Sequence, residues 1–267
     1  MSNLGTVGAI IAAEFHPPTT KDFVWPCWGP ELHVGGLSFC YNFIFFLLTL
    51  AFAATILFFY IGLRRPKLVP GKFQALVESA IEFVRNQIQM QMIGPEGARF
   101  LPLLMALFFF IFFGNILEVT PGVMFPLHSR IAFPIVMALI AWVVYNYVGI
   151  RKHGFIGYAK MVMFPPGAPL WLYPLLVPIE FFTTIIIRPI TLSVRLFANM
   201  VAGHFLLAVF FLGSLALITG FPYILGVVSF GMGVALVGFE IFVSGLQAFI
   251  FAVLTASYIG GALAEEH

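Results

Sequence analysis

"FCYNFIFFLLTLAFAATILFFYIGL", Phe39 to Leu63, carries no charged side chain, and "RRPK", Arg64 to Lys67, follows it directly. About 20 consecutive apolar residues form a helix long enough to cross a bilayer. A basic cluster marks the cytoplasmic end of such a helix. The stretch therefore predicts a membrane span that starts outside the cell and ends in the cytoplasm. Residues 1–38 become an outer-side N-terminal segment, and residues 39–267 a membrane domain.

The whole chain agrees with that opening. Of its 267 residues 61% are hydrophobic and 9% charged, where soluble domains carry about 25% charged residues. With a mean hydropathy of +1.04, the chain has too little polar surface to cover itself with, and its natural solvent is lipid. A formal net charge of +2 gives no reason to expect nucleic acid. There is no glycine-rich phosphate loop and no paired Cys or His spacing for zinc, so neither cofactor nor metal is expected. Cys27 and Cys40 do not make a disulfide framework. The first 12 residues are mildly apolar but lack a basic n-region, which leaves a cleaved leader open without supporting it.

Beyond Arg64 comes "KFQALVESAIEFVRNQIQMQMIG", Lys72 to Gly94, with Phe73, Leu76, Val77, Ala80, Ile81, Val84 and Ile88 at helical spacing. It reads as an amphipathic helix on the cytoplasmic membrane surface or against a partner. A second span covers about 100–117 and ends at Asn115 and Glu118. A third, about 131–150, returns to the basic "RKHG" of Arg151 to Gly154. Residues 155–170, with Pro165, Pro166 and Pro169, read as a cytoplasmic connector. Two long apolar blocks remain, about 171–219 and 223–260, separated by "TGFPY", a plausible tight turn. Each exceeds what a bilayer needs, so these helices tilt strongly or lie partly along the membrane. Pro189 is expected to bend the first of them. Gly226, Ser229, Gly233 and Gly238 read as helix-packing positions, and the Phe-rich runs as lipid-facing bulk. The fold class is an all-α polytopic membrane protein of about five crossings, N-terminus outside and C-terminus inside. It includes a long tilted C-terminal helical hairpin and a cytoplasmic-side amphipathic helix.

Between Lys160 and Glu265 the only charged side chains are Glu180, Arg188, Arg195 and Glu240. An ionisable group at mid-membrane costs about 2.5–3.5 kcal/mol on insertion scales and normally faces protein or water. Arg188 and Arg195 share a helix face, and Asn199 lies one turn past Arg195 on it. Glu240, Ser244 and Gln247 form one stripe. His204 points away from the Arg195 face. A hairpin folded at Pro222 brings His204 level with Glu240 and Arg195 close to Gln247. Arg195 and His204 then differ in depth by about 13 Å, less than half of a roughly 30 Å hydrocarbon core. His204 and Glu240 lie toward the outside, where Asn115 and Glu118 can join them, and Glu180 lies toward the inside. Glu and His exchange protons once burial shifts them, whereas arginine does not. The pattern reads as two proton paths kept apart by a fixed cation. Plainer readings stand beside it: Arg188 as a snorkelling interfacial cation, Glu240 and Gln247 as interhelical hydrogen-bonding groups, His204 as a satisfied core histidine, Glu118 as an interfacial acid. His128, His153 and Tyr258 draw no specific assignment.

"RPITLSVRLFANMVAGH", "GFEIFVSGLQAFIFAVLTASYI" and "GNILEVTPG" together resemble subunit a of the F-type ATP synthase, from about residue 35 to the C-terminus. The resemblance implies that Arg195 is the stator arginine facing the carboxylate of a rotating c-ring. It implies that Gln247 lies beside Arg195, with Asn199 in the same motif, that His204 and Glu240 are the outer half-channel pair, and that Asn115 and Glu118 belong to the outer path. Glu180 resembles an acid of the inner path. Many bacterial members hold glutamate first and histidine second; here the two are exchanged, which keeps one acid and one imidazole at the same level. The implied function is a non-catalytic stator proton channel that couples proton flow to rotation and ATP synthesis. Its implied partners are the c-subunit ring, peripheral-stalk b subunits, the other ATP synthase subunits and the lipid of an energy-transducing membrane, here a bacterial plasma membrane. Sodium as the coupling ion stays open. A secondary transporter with an intramembrane Arg/Glu substrate site is the alternative, although the repeats that plan uses are not visible. A membrane scaffold with an incidental polar network is a third reading.

Overall fold

Apolar tracts without proline or charge have nowhere to satisfy their backbone in lipid except within themselves, so they become helices. The computed structural model describes Trp28 and residues 32–34, 37–39, 41–164, 170–218 and 223–264. Among them α1 (Phe43–Leu63) is the opening span. The amphipathic segment is α2 (Lys72–Phe83), which continues through a π turn over Val84–Gln89 and a last turn at Met90–Met92. Next are α3 (Pro95–Ile116), α4 (Ala132–Met163), α5 (Tyr173–Ile218) and α6 (Tyr223–Leu263). Apart from α2, these helices are long and apolar enough to cross a membrane. With 41 residues, α6 is about 62 Å long, twice the hydrocarbon thickness, as expected for a strongly tilted hairpin arm.

The short antiparallel hairpin of β1 (Leu32–Val34) and β2 (Leu37–Phe39) adds to the all-helical expectation, with Leu32 opposite Phe39 and Val34 opposite Leu37. Gly35 and Gly36 stand between the paired residues in sequence, a hairpin signal that the apolar count passes over. Cys27, Cys40, the prolines at 165, 166 and 169, and the expected turn at 219–222 lie outside the described residues.

The chain divides into two compact units. The first comprises residues 1–50, 114–129 and 198–245; the second comprises 51–113, 130–197 and 246–267. In the first, the hairpin arms are antiparallel with a consistent register. Gly226 lies against Ile218, Gly233 against Phe211 and Gly203 against Glu240, and the Ser229 hydroxyl donates to the Phe210 carbonyl at 2.9 Å. Three of the four expected packing positions are therefore used; a Cβ on Gly238 would meet nothing within 4 Å.

The second unit holds several clusters of buried apolar residues. Leu192, Leu196, Ala248 and Phe251 share one cluster with Ile111, Met137 and Ala141. Part of the expected lipid-facing phenylalanine is instead internal: Phe109 is buried, with its ring centroid 5.2 Å from Phe58 and 4.9 Å from Phe59. The amphipathic helix needs no outside partner for its buried face, because Val84 and Ile88 cluster with Leu104, Phe109, Ala252 and Ala256. Phe73 and Leu76 from the same expected face are exposed.

Two breaks correct the expected path. Residues 155–163 are helical rather than loop, and α4 is interrupted at Gly154 (φ 74°, ψ 166°). This φ suits glycine alone, and it turns the chain so that Tyr158 lies on Gly149 and donates to Asn146 Oδ1 at 3.2 Å. In α5 the irregularity comes before Pro189, as a π turn over Thr183–Ile187. The Arg188 N–H donates to the Thr183 carbonyl, and Pro189 has no N–H to give. The Thr184 carbonyl is thereby left without a helical donor, and the buried Tyr145 hydroxyl supplies one at 2.9 Å.

Candidate functional site

The first unit gathers four of the sequence-selected residues. The helix that carries Asn115 ends at Ile116, and the following turn brings Glu118 inward. Asn115 and Glu118 are 0% and 2% exposed. Oε1 of Glu118 stands 3.8 Å from Nδ1 of His204. Glu240, 4% exposed, lies against Gly203, where a Cβ would come within 2.5 Å of its carboxylate. The missing side chain at 203 thus makes room for the acid one position from its expected level partner, His204. Burial pushes Glu118 up to about 9, and the charge of Glu240 adds to the shift, so Glu118 is protonated at neutral pH. Among the described residues Oε2 of Glu240, Oγ of Ser244 and Nδ2 of Asn115 are buried without a hydrogen-bond partner. The carboxylate oxygen can accept a proton, the Asn115 amide can only donate, and the hydroxyl can do either. An open cavity of about 470 Å³ reaches Glu118 and His204 between Val119, Leu207, Phe211 and Val237.

His128 belongs to this cluster although no sequence pattern marked it. It is fully buried, its Nδ1 lies 2.8 Å from Asn115 Oδ1, and burial lowers its pKa to about 3. A neutral ring facing an amide oxygen donates through Nδ1–H. Gly114 makes this possible, since a Cβ there would lie 2.6 Å from His128 Cε1. That glycine next to Asn115 was the available signal. Asn199 is half-buried in the first unit, with Nδ2 unpartnered among the described residues.

In the second unit Arg195 is exposed. Its neighbours Ile187, Ile190 and Val194 are exposed and apolar, and among the described residues it makes no hydrogen bond or ion pair. Gln247 is half-buried. Glu180 lines a separate cavity of about 190 Å³ with Arg188, Thr184, Tyr158 and Tyr258. Here the structure adds Tyr258, which sequence reasoning left unassigned: the Arg188 guanidinium carbon stands 5.0 Å over its ring. A cation that cannot lose its charge is held by an aromatic face where no carboxylate pairs with it.

Residues 43–260 match the ATP synthase A chain family. A protein of Frankia alni called ATP synthase subunit a is 43% identical over 255 residues, covering 95% of this chain and 88% of the relative. One of the same name from Rhodococcus erythropolis is 43% identical over 267 residues, covering 98% and 96%. In Gluconobacter oxydans the likeness is 40% over 236 residues, or 87% and 92%. Buried carboxylates, a guanidinium on an exposed apolar helix face and a likeness that runs nearly end to end converge on one conclusion: the chain belongs to the ATP synthase A chain family.

Proposed function

We propose that this chain is the stator proton channel of an F-type ATP synthase, with two offset half-channels that load and unload a carboxylate on a rotating c-ring. The observation that carries the reading is Arg195, a permanent cation among exposed apolar side chains with no partner among the described residues of its own chain. Such a group is costly in a membrane unless it faces water, protein or an opposite charge, and a ring carboxylate supplies the charge. The chain contributes protonation and electrostatics; ATP itself is made on other subunits of the assembly.

On this reading a proton enters from the outer side through the cavity at Glu118 and His204 and passes to Glu240. It then neutralises a ring carboxylate, and the neutral acid can move into lipid. After nearly a full turn that acid reaches the second cavity near Glu180. The field of Arg195 favours its ionised form and drives the proton out. Asn199, one turn past Arg195, and Gln247 are the polar groups available beside the guanidinium when the ring acid approaches, and Asn115 belongs to the outer end of the path. Arg195 blocks the direct route, because a proton cannot be handed through a group whose pKa is above 12. Each charge that crosses releases about 2.3 kcal/mol per 100 mV. The ring and the peripheral-stalk b subunits are the partners, the location is a bacterial plasma membrane, and the N-terminus lies outside with the C-terminus in the cytoplasm.

The test is Arg195→Ala in the assembled complex, reconstituted in vesicles. Coupled synthesis and ATP-driven proton pumping should both disappear while the complex still assembles. Normal coupled synthesis in that variant would overturn the reading.

A further inference from the structure

We propose that the loop between α1 and α2 binds the phosphate of an anionic lipid headgroup. An open cavity of about 520 Å³ at the end of α1 is lined by Arg64, Arg65, Lys67 and Lys72, together with Gly71 and Gln74. No carboxylate lines it, and among the described residues none of these four cations forms an ion pair. Like charges gathered without counter-ions repel one another, and a bound anion removes that cost. The phosphate oxygens match the forked donors of the two arginines, and the lysines add point charges.

The loop is a built feature rather than a loose basic stretch. The Lys67 backbone N–H donates to Gln74 Oε1 at 3.2 Å, and Gln74 Nε2 donates back to the Lys67 carbonyl at 3.2 Å. This reciprocal clasp fixes the curvature of the chain between the cations. Gln74 Nε2 also donates to Glu78 Oε1 at 2.7 Å, which keeps that carboxylate on the amide and out of the cavity. Below the loop the two helices are in close contact, since a Cβ on Gly62 would lie 2.6 Å from Val77 Cγ2.

The apolar residues around the cavity favour a lipid over free phosphate. Leu68 and Val69 are fully exposed between the cations, and Phe73 and Leu76 are exposed on the adjoining turn. In a bilayer these side chains insert among acyl chains just beneath the headgroup plane, where a basic pocket meets the phosphate. None of these residues belongs to the proposed proton path, so the site stands or falls independently of it.

Native mass spectrometry of the full chain in a neutral detergent tests the site, with phosphatidylglycerol, phosphatidylcholine and inorganic phosphate as probes. The parent should retain phosphatidylglycerol in preference to phosphatidylcholine, and inorganic phosphate should not displace it at equal concentration. Replacing all four cations by glutamine should weaken phosphatidylglycerol retention by about 10-fold or more, while Arg85→Gln outside the cavity should leave it unchanged. Gln74→Ala removes no charge and releases the clasp; it should weaken retention by about 3-fold. It also serves if the fourfold variant does not fold. Unchanged retention in the fourfold variant, or parent-like retention in Gln74→Ala, would overturn the built site. Equal displacement by inorganic phosphate would overturn the lipid assignment.

Discussion

The two units treat charge in opposite ways. Among the described residues the first buries its acids: Glu118 and Glu240 are nearly inaccessible. The second keeps its arginines at the surface or against a ring: Arg195 is exposed, and Arg188 is half-buried over Tyr258. The difference follows from titration chemistry. A carboxylate can be buried because it neutralises itself by taking a proton, as Glu118 does, pushed up to about 9. A guanidinium has no such exit, so it must stay near an aromatic face, water or an outside anion. Proton-exchanging groups and fixed charges are thus sorted by what each can do when desolvated.

The sharpest way to break this comparison is to put a permanent cation where an acid sits. Glu240→Arg should cost about 3–5 kcal/mol, enough to prevent the chain from accumulating in the membrane fraction, as read by immunoblot. Arg195→Leu should accumulate normally, because an exposed apolar face gains another apolar residue. Gly114→Ala comes next. Its methyl would meet His128 at 2.6 Å, and overpacking should lower stability by about 1–3 kcal/mol, seen as a lower unfolding temperature in detergent. Tyr145→Phe leaves the Thr184 carbonyl without its donor and should cost about 1–3 kcal/mol by the same measurement.

Smaller but more diagnostic is the pH profile of Glu118→Gln. The unfolded chain gives up the Glu118 proton near the ordinary value of 4.5 and the folded chain near 9. Between those values the folded state holds more protons, so stability falls as pH rises. In Glu118→Gln this part of the slope should vanish, and the unfolding temperatures at pH 5 and pH 8 should lie closer together than in the parent. An unchanged slope would mean that Glu118 is not the acid held neutral by burial.

The sequence made the long helices and the hairpin register legible because both follow from simple periodicities. Counting outward from Pro222 matched Glu240 with position 204, and in the folded chain it lies against Gly203. What escaped were contacts that only long-range folding creates. His128 meets Asn115 across a turn, and Tyr258 meets Arg188 from a different helix. A lone histidine in a loop and a tyrosine in an apolar tract carry no periodic signal. The continuation of α4 past Gly154 was missed for a local reason. A glycine after a basic cluster is the common signature of a helix end, and here the helix resumes on the far side of the bend. The buried faces of the Phe-rich runs were misjudged because phenylalanine suits lipid and protein interior equally; which of the two it meets is decided by neighbours such as Phe58 and Phe109.

Arg195 also bears on how the chain is made. On the proposed reading a newly inserted copy carries a guanidinium on an exposed apolar face, at an insertion cost of about 2.5–3.5 kcal/mol that no ion pair among the described residues offsets. If the proposed ring carboxylate is its counterpart, an orphan copy is less secure in the bilayer than an assembled one, and membrane proteases that sample loosely held helices would remove unassembled copies first.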